Sequence, residues 1–487
     1  MKNKIFALAM IFCSFAFAQD FDDWGSFSDD TDGFGGGSSP SITFSGEGEL
    51  QGRMYLDKPK YESQKDSDYD SVSDFPVTAT PSAKLGINFS GTNVDADIQL
   101  KFDENAIKDY PQDVINELTV RGYFGKLKLE AGKMKVIWGK GDKLHVLDNF
   151  NADDYTDFIV PEYIDRRLST PMFRAIYSFE KNDLRLEGIW TPYMEKDRFA
   201  TDGIWTPDAY TKLKNSVTEI ASKWAAGETA GLMKAAKFDQ NDLYPDPDTQ
   251  KLKYTQAGLR LTGTFGSFDW GASYYYGHYK QPSADLSATI LSGKTTMPSL
   301  EYDWKQTFGL EAATVLGRFN LRGELAYNLT DDVAGDNPWV HNNSIAWLAG
   351  FDVDIPVNNI NINIQEIGTY IFKGDKIDDA EGFSNYGVMK SALKSYDVDY
   401  DKTGYTNNKL VVNITDSWMN DKIAPEVTAL WGIERGDLVV QPKIAYKPNG
   451  NLTLTLSGMY IHCKDEDSEF YEWKDNSFIN VGVNCKF

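Results

Sequence analysis

From Ser41 onward, apolar and polar residues alternate with a period of two in short runs, and the connections between runs are alternately short and long. In 41–57, Ile42, Phe44, Leu50, Met54 and Leu56 share one face with Gly46, Gly48 and Gly52, whereas Glu47, Glu49, Gln51 and Arg53 share the other. In 94–103, Val94, Ala96, Ile98, Leu100 and Phe102 alternate with Asp95, Asp97, Gln99, Lys101 and Asp103. Charges on the second face of such strands indicate that this face meets water or other charges, not a sandwich core.

The same reading continues through 78–91, 115–125, 127–137, 171–180, 183–192, 254–266, 267–279, 300–316, 318–329, 342–355, 358–372, 407–418, 422–434, 436–447, 450–463 and 475–487. Short turns fall at Gly91-Thr92-Asn93, Gly125-Lys126, Glu180–Asp183, Gly266-Ser267, Gly317, Pro356-Val357, Met419–Asp421 and Lys447–Gly450. The pattern predicts an all-β fold: a closed antiparallel transmembrane β-barrel of about 18 strands (16–20), even in number, with both termini on the periplasmic side. Two positions break the alternation. Glu366 falls on the face of Ile360, Ile362 and Ile364, where a bulge would re-aim it, and Pro442 lies inside 436–447, although proline within a sheet prefers edges or bulges.

The long connections, near 58–77, 104–114, 138–170, 193–253, 280–299, 330–341, 373–406 and 464–474, all fall on one side and read as extracellular loops. Within the fourth, Tyr210, Leu213, Val217, Ile220 and Trp224 recur at helical spacing and predict one amphipathic loop helix.

Both ends of the chain fit this picture. Lys2 and Lys4, an apolar run from Ile5 to Phe17 and the small-x-small site Ala16-Phe17-Ala18 make residues 1–18 read as a signal peptide. Residues 19–40, with six aspartates and no basic residue, read as a disordered periplasmic leader, leaving 41–487 for the barrel. The closing run Phe478–Phe487 alternates and ends on an aromatic, which resembles the assembly signal of bacterial outer-membrane barrels and assigns that role to Phe487.

Composition changes the picture in three ways. Aromatics are 14% of the chain, as girdles at two membrane interfaces require. A formal charge of −23 disfavours nucleic acid as a partner, because phosphate backbones reward clustered Lys and Arg. Beyond the leader only Cys463 and Cys485 remain, at opposite ends of consecutive strands, so two free thiols are expected.

Candidate chemistry concentrates in Gly132–Pro171, where a strand becomes the third long loop. This loop offers Asp148, Asp153, Asp154, Asp157, Glu162, Asp165, Arg166 and Arg167 as a charged pore constriction; facing charges of opposite sign there would orient polar solutes. The lumen-lining candidates are Glu47, Glu49, Arg53, Asp97, Lys101, Glu117, Arg121, Arg174, Arg322 and Glu324. The Gly-Lys strand, the Trp-Gly-x-Gly at 138–141, the Asn/Asp-rich loop and the Arg-x-x-x-x-Pro ending at Pro171 resemble an uncharacterised family of large proteobacterial outer-membrane barrels of unknown function. That resemblance supports a barrel and carries no substrate.

Asp66, Asp68, Asp70 and Asp74 have calcium-like spacing, but Ser71 and Val77 stand where an EF-hand needs Gly and Glu. His145, His278, His341 and His462 lie on different parts of the circumference, so no metal site is expected, and no cofactor or nucleophile motif occurs. His341 with Ser344 is the one nearby Ser/His pair, and an enzyme is disfavoured. The expected function is a porin-like channel in the outer membrane of a diderm bacterium, for passive diffusion of small polar solutes or ions. Two alternatives stand beside it: a gated transporter of a lipid or other apolar ligand, and a surface adhesin on a barrel scaffold. Expected partners are outer-membrane lipid, the barrel-assembly machinery and the solutes, with an oligomer allowed.

Overall fold

The computed structural model describes residues 40–57, 77–181, 183–201, 203–208, 247–285, 299–379, 397–399 and 405–487. The signal peptide, the leader, the Asp66–Asp74 run and the expected loop helix lie outside the described residues. Eighteen strands build the wall: β1 (Ser41–Tyr55), β2 (Val77–Ser90), β3 (Val94–Phe102), β4 (Ile115–Phe124), β5 (Leu127–Met134), β6 (Thr170–Ser178), β7 (Arg185–Thr191), β8 (Gln256–Phe265) and β9 (Phe268–His278) in the first half. The second half is β10 (Trp304–Leu316), β11 (Phe319–Thr330), β12 (Ser344–Asp354), β13 (Asn361–Ile371), β14 (Thr406–Thr415), β15 (Ile423–Gly432), β16 (Leu438–Asn449), β17 (Leu452–His462) and β18 (Phe478–Lys486).

Each strand pairs antiparallel with its neighbours in chain order, and β1 pairs with β18 from Glu47↔Lys486 to Tyr55↔Phe478. The sheet therefore closes on itself. Closure is what a bilayer demands, because an open edge would leave backbone N–H and C=O groups without partners in hydrocarbon. Beyond the ladder, Phe487 exchanges two backbone hydrogen bonds with Gly46, and its ring lies in the space that a side chain at position 46 would need.

Alternation sorts the side chains as expected. Phe44, Phe173, Leu310 and Val481 point outward and are 56–67% exposed in the isolated chain, whereas Glu130, Glu311 and Glu324 point inward and are 3–5% exposed. An apolar outer wall around a polar interior is the inverse of a soluble sandwich and is that of a transmembrane barrel. Outward aromatics mark both rims, with Phe124, Phe265 and Phe319 at the short turns and Tyr276, Trp304 and Tyr460 near the long loops. The short turns use left-handed residues, including Gly125, Gly266 and Gly317, each with φ between 61° and 64°.

No bulge forms at either position that breaks the alternation. β13 keeps an unbroken register with both neighbours, and Glu366 stays on the outer wall, where its Oε2 accepts from Trp347 Nε1 at 2.9 Å. Glu366 is tolerated because a donor from the adjacent strand reaches it, not because the strand re-aims it. Around Pro442 the β16–β17 register runs unchanged from Val440↔Tyr460 to Lys443↔Ser457, and the irregularity falls nearer the turn, between Tyr446 and Asn449. Cys463 and Cys485 form no disulfide.

Candidate functional site: a tethered loop inside a charged lumen

Residues 135–169 leave β5, cross the lumen and return to β6. The first anchor is Trp138, which is 1% exposed and donates through Nε1 to Glu187 at 3.1 Å. Next to it, Gly139 (φ 123°) and Gly141 leave the space that the Glu324 carboxylate of β11 occupies; a Cβ on Gly139 would collide with it. Glu324 accepts from the backbone N–H groups of Lys140 (2.8 Å), Gly141 (2.6 Å), Val146 (2.8 Å) and Leu147 (3.3 Å), and His145 Nδ1 lies 3.0 Å from it. The Trp-Gly-x-Gly motif is thus a docking sequence for one carboxylate.

The loop then ties itself to the rest of the wall. Asp142 N donates to Gln365 of β13 at 2.9 Å, and Lys143 pairs with Glu426 of β15 at 2.6 Å. On the return path Asp157 receives both terminal nitrogens of Arg53 at 2.6 and 2.7 Å, Glu162 pairs with Lys443 at 2.9 Å, and Asp165 pairs with Lys84 at 3.1 Å. These partners sit on β1, β2, β7, β11, β13, β15 and β16, so the loop spans the lumen from wall to wall. Two apolar clusters hold it. Trp138, Leu147 and Phe150 pack on Met172, Ile189 and Tyr275, while Phe158 stacks on Trp205 at 5.1 Å and meets Phe470 and Trp473.

The eight loop residues read as a constriction divide into two groups. Asp148 and Arg167 pair inside the loop with side chains 1% and 4% exposed, and Arg167 also lies 3.6 Å from Asp153. Burial opposes the charge on Arg167, but Asp148, Tyr163 and Asp153 overcome it and hold the guanidinium protonated. Asp154 caps the backbone of Thr156, and Arg166 lies 5.7 Å from the Tyr155 ring centroid. Asp157, Glu162 and Asp165 instead face the wall. Burial works against ionisation of Asp165, yet Lys84, Lys135 and Lys101 keep its carboxyl below the usual range.

Of the wall candidates, Arg53 and Glu324 hold the loop, and Arg322 pairs with Asp352. Glu47, Glu49, Lys101 and Glu117 lie on the inward face of β1, β3 and β4, where Glu47 accepts from Asn484 at 2.7 Å, Glu49 from Gln51 at 2.6 Å, and Lys101 pairs with Asp103 at 2.7 Å. Asp97, Arg121 and Arg174 belong to something the sequence reading missed. They alternate with Glu130, Glu187, Arg260 and Glu311 in a ladder across β3–β8 and on to β10: Asp97–Arg121, Arg121–Glu130 (3.0 Å), Glu130–Arg174 (3.1 Å), Arg174–Glu187 (2.7 Å), Glu187–Arg260 (3.7 Å) and Arg260–Glu311 (2.6 Å). On β9, which contributes no charge to this ladder, Gly271 faces Glu311 and has no room for a Cβ beside it.

The His341/Ser344 pair does not assemble. His341 Nδ1 faces Asp399 at 2.7 Å, while Ser344 Oγ accepts from Asn328 at 3.2 Å. Among the described residues no group of three or more His, Cys, Asp or Glu could hold a metal ion.

No family model and no curated protein matches this chain. Among solved structures, it is similar to Pseudomonas aeruginosa OccK11 (OpdR) at 8% identity and TM-score 0.45, covering 93% of this chain and 97% of that one. Acinetobacter baumannii OccAB4 is similar at 11% identity and TM-score 0.45 (93% and 98%), and the outer membrane channel DcaP of the same organism at 9% and 0.40 (92% and 98%).

Proposed function

We propose that the chain is an outer-membrane diffusion channel of porin type, passing small polar solutes or ions through a lumen narrowed by residues 135–169. The supporting observation is the tethered loop: a connection held at Glu324, Gln365, Glu426, Arg53 and Lys84 stands across the path through the barrel. What faces that path is charged and hydrogen-bonding, which suits hydrated solutes better than a lipid. The opposite charges are interleaved and mutually neutralised along the ladder, so the wall orients dipolar solutes without a dense field of one sign. In this reading the partners are the outer-membrane lipid, the assembly machinery that reads Phe487, and the solutes themselves.

Liposomes containing the purified protein, placed in isotonic sugar, test this reading. A pentose is expected to swell them several-fold faster than a trisaccharide; swelling no faster than in protein-free liposomes would refute it.

A further inference from the structure

On the long-loop side of the inward loop, two lysines enter the lumen without a carboxylate partner among the described residues. Lys280 follows β9; its Nζ donates to Gln256 Oε1, and the Tyr275 hydroxyl lies 3.5 Å away. Lys305, the second residue of β10, lies 5.9 Å from the Tyr275 ring centroid and 4.7 Å from that of Tyr279. Both lysines are half-buried.

The floor beneath them is hydrogen-bonded. Gln256 is fully buried, takes the Tyr275 hydroxyl at 2.6 Å and donates to Thr191 Oγ1 at 3.0 Å. The charges nearby make their hydrogen bonds with other groups. Arg167 serves Asp148 and Asp153; Asp197 accepts from Asp153 N at 2.9 Å and Gln281 at 3.2 Å; Glu195 accepts from Gln250 at 3.3 Å. Burial pushes Asp197 up to about 6 and Lys280 well below its usual range, the latter with help from Lys305, while the Asp197 and Glu195 carboxylates act on Lys280 in the opposite direction. Aromatic faces offset part of the cost of an ammonium there, but they supply no negative charge.

We propose that Lys280 and Lys305 form a binding station for a small oxyanion, a carboxylate or a phosphate, flanked by Tyr275 and Tyr279. An oxyanion supplies both a negative charge in direct contact and acceptors for two ammonium groups. The station rests on the channel reading for its purpose, while binding itself does not require conduction.

The test is calorimetric titration of the full-length protein, folded in detergent, with acetate and with inorganic phosphate. Wild type is expected to bind one or both saturably. K280Q and K305Q should each weaken binding about tenfold, and K305R should retain it. K126Q, a change on a short turn, should leave binding unaltered. Heat-modifiable electrophoretic mobility verifies that each variant is folded. Absence of binding to either probe by wild type, or wild-type affinity in both glutamine variants, overturns the proposal. Binding without swelling of liposomes would keep the station and remove the channel; swelling without binding would do the reverse.

Discussion

Glu324 shows what a residue-by-residue reading can and cannot reach. Alternation with Leu321, Gly323 and Leu325 places it in the lumen, and there it is, yet its carboxylate is taken up by four backbone N–H groups and His145. Those donors lie 177–184 positions away in the chain, and no local pattern encodes such a contact. The signal that was available is the Gly-x-Gly beside Trp138, which marks a close approach without naming the partner. Glu324→Ala strips the loop of that acceptor, and each buried N–H left unpaired costs about 1–3 kcal/mol. The expected result in planar bilayers is a larger and noisier conductance step, with Glu324→Gln between Ala and wild type because one acceptor oxygen remains. A step indistinguishable from wild type in Glu324→Ala would show that this anchor does not hold the loop.

At the scale of elements, period-two alternation located all eighteen strands to within a few residues, because burial on one face and lipid on the other leave the sequence little freedom. It did not reveal how neighbouring strands use their inward charges. Arg174 was legible as inward; that it bridges Glu130 and Glu187 depends on register, which sequence alone does not carry. Glu187, Arg260 and Glu311 alternate with apolar neighbours and could have been found by the same rule. Glu366 and Pro442 each violate a local preference, but Trp347 on β12 and an unbroken register on both sides absorb them. Replacing Arg174 by alanine leaves two carboxylates facing each other at the centre of the ladder. Removing one partner of a buried pair costs about 3 kcal/mol, so urea unfolding from lipid vesicles should shift accordingly and cation preference should rise. Unchanged stability and selectivity would mean that water replaces the guanidinium at no cost.

For the whole molecule, the decisive constraint is closure. The sequence offered an even number of two-sided strands and a last strand, Phe478–Lys486, with the right faces; the structure supplies its partner, β1, and the backbone lock between Phe487 and Gly46. Deleting residues 478–487 would leave β1 and β17 as open edges in hydrocarbon, so the truncated chain is expected to show no heat-modifiable folded form. A folded band from that truncation would break the link between closure and stability. Function at this scale depends on whether the tethered loop sets the size of the path. The most direct measurement is single-channel conductance with ion selectivity in planar bilayers, for the full chain and for a variant in which residues 140–165 are replaced by a short Gly/Ser link. Discrete small steps that become several-fold larger and less selective in the variant are what the channel account predicts; a full chain with no channels, or steps unaffected by the replacement, would contradict it.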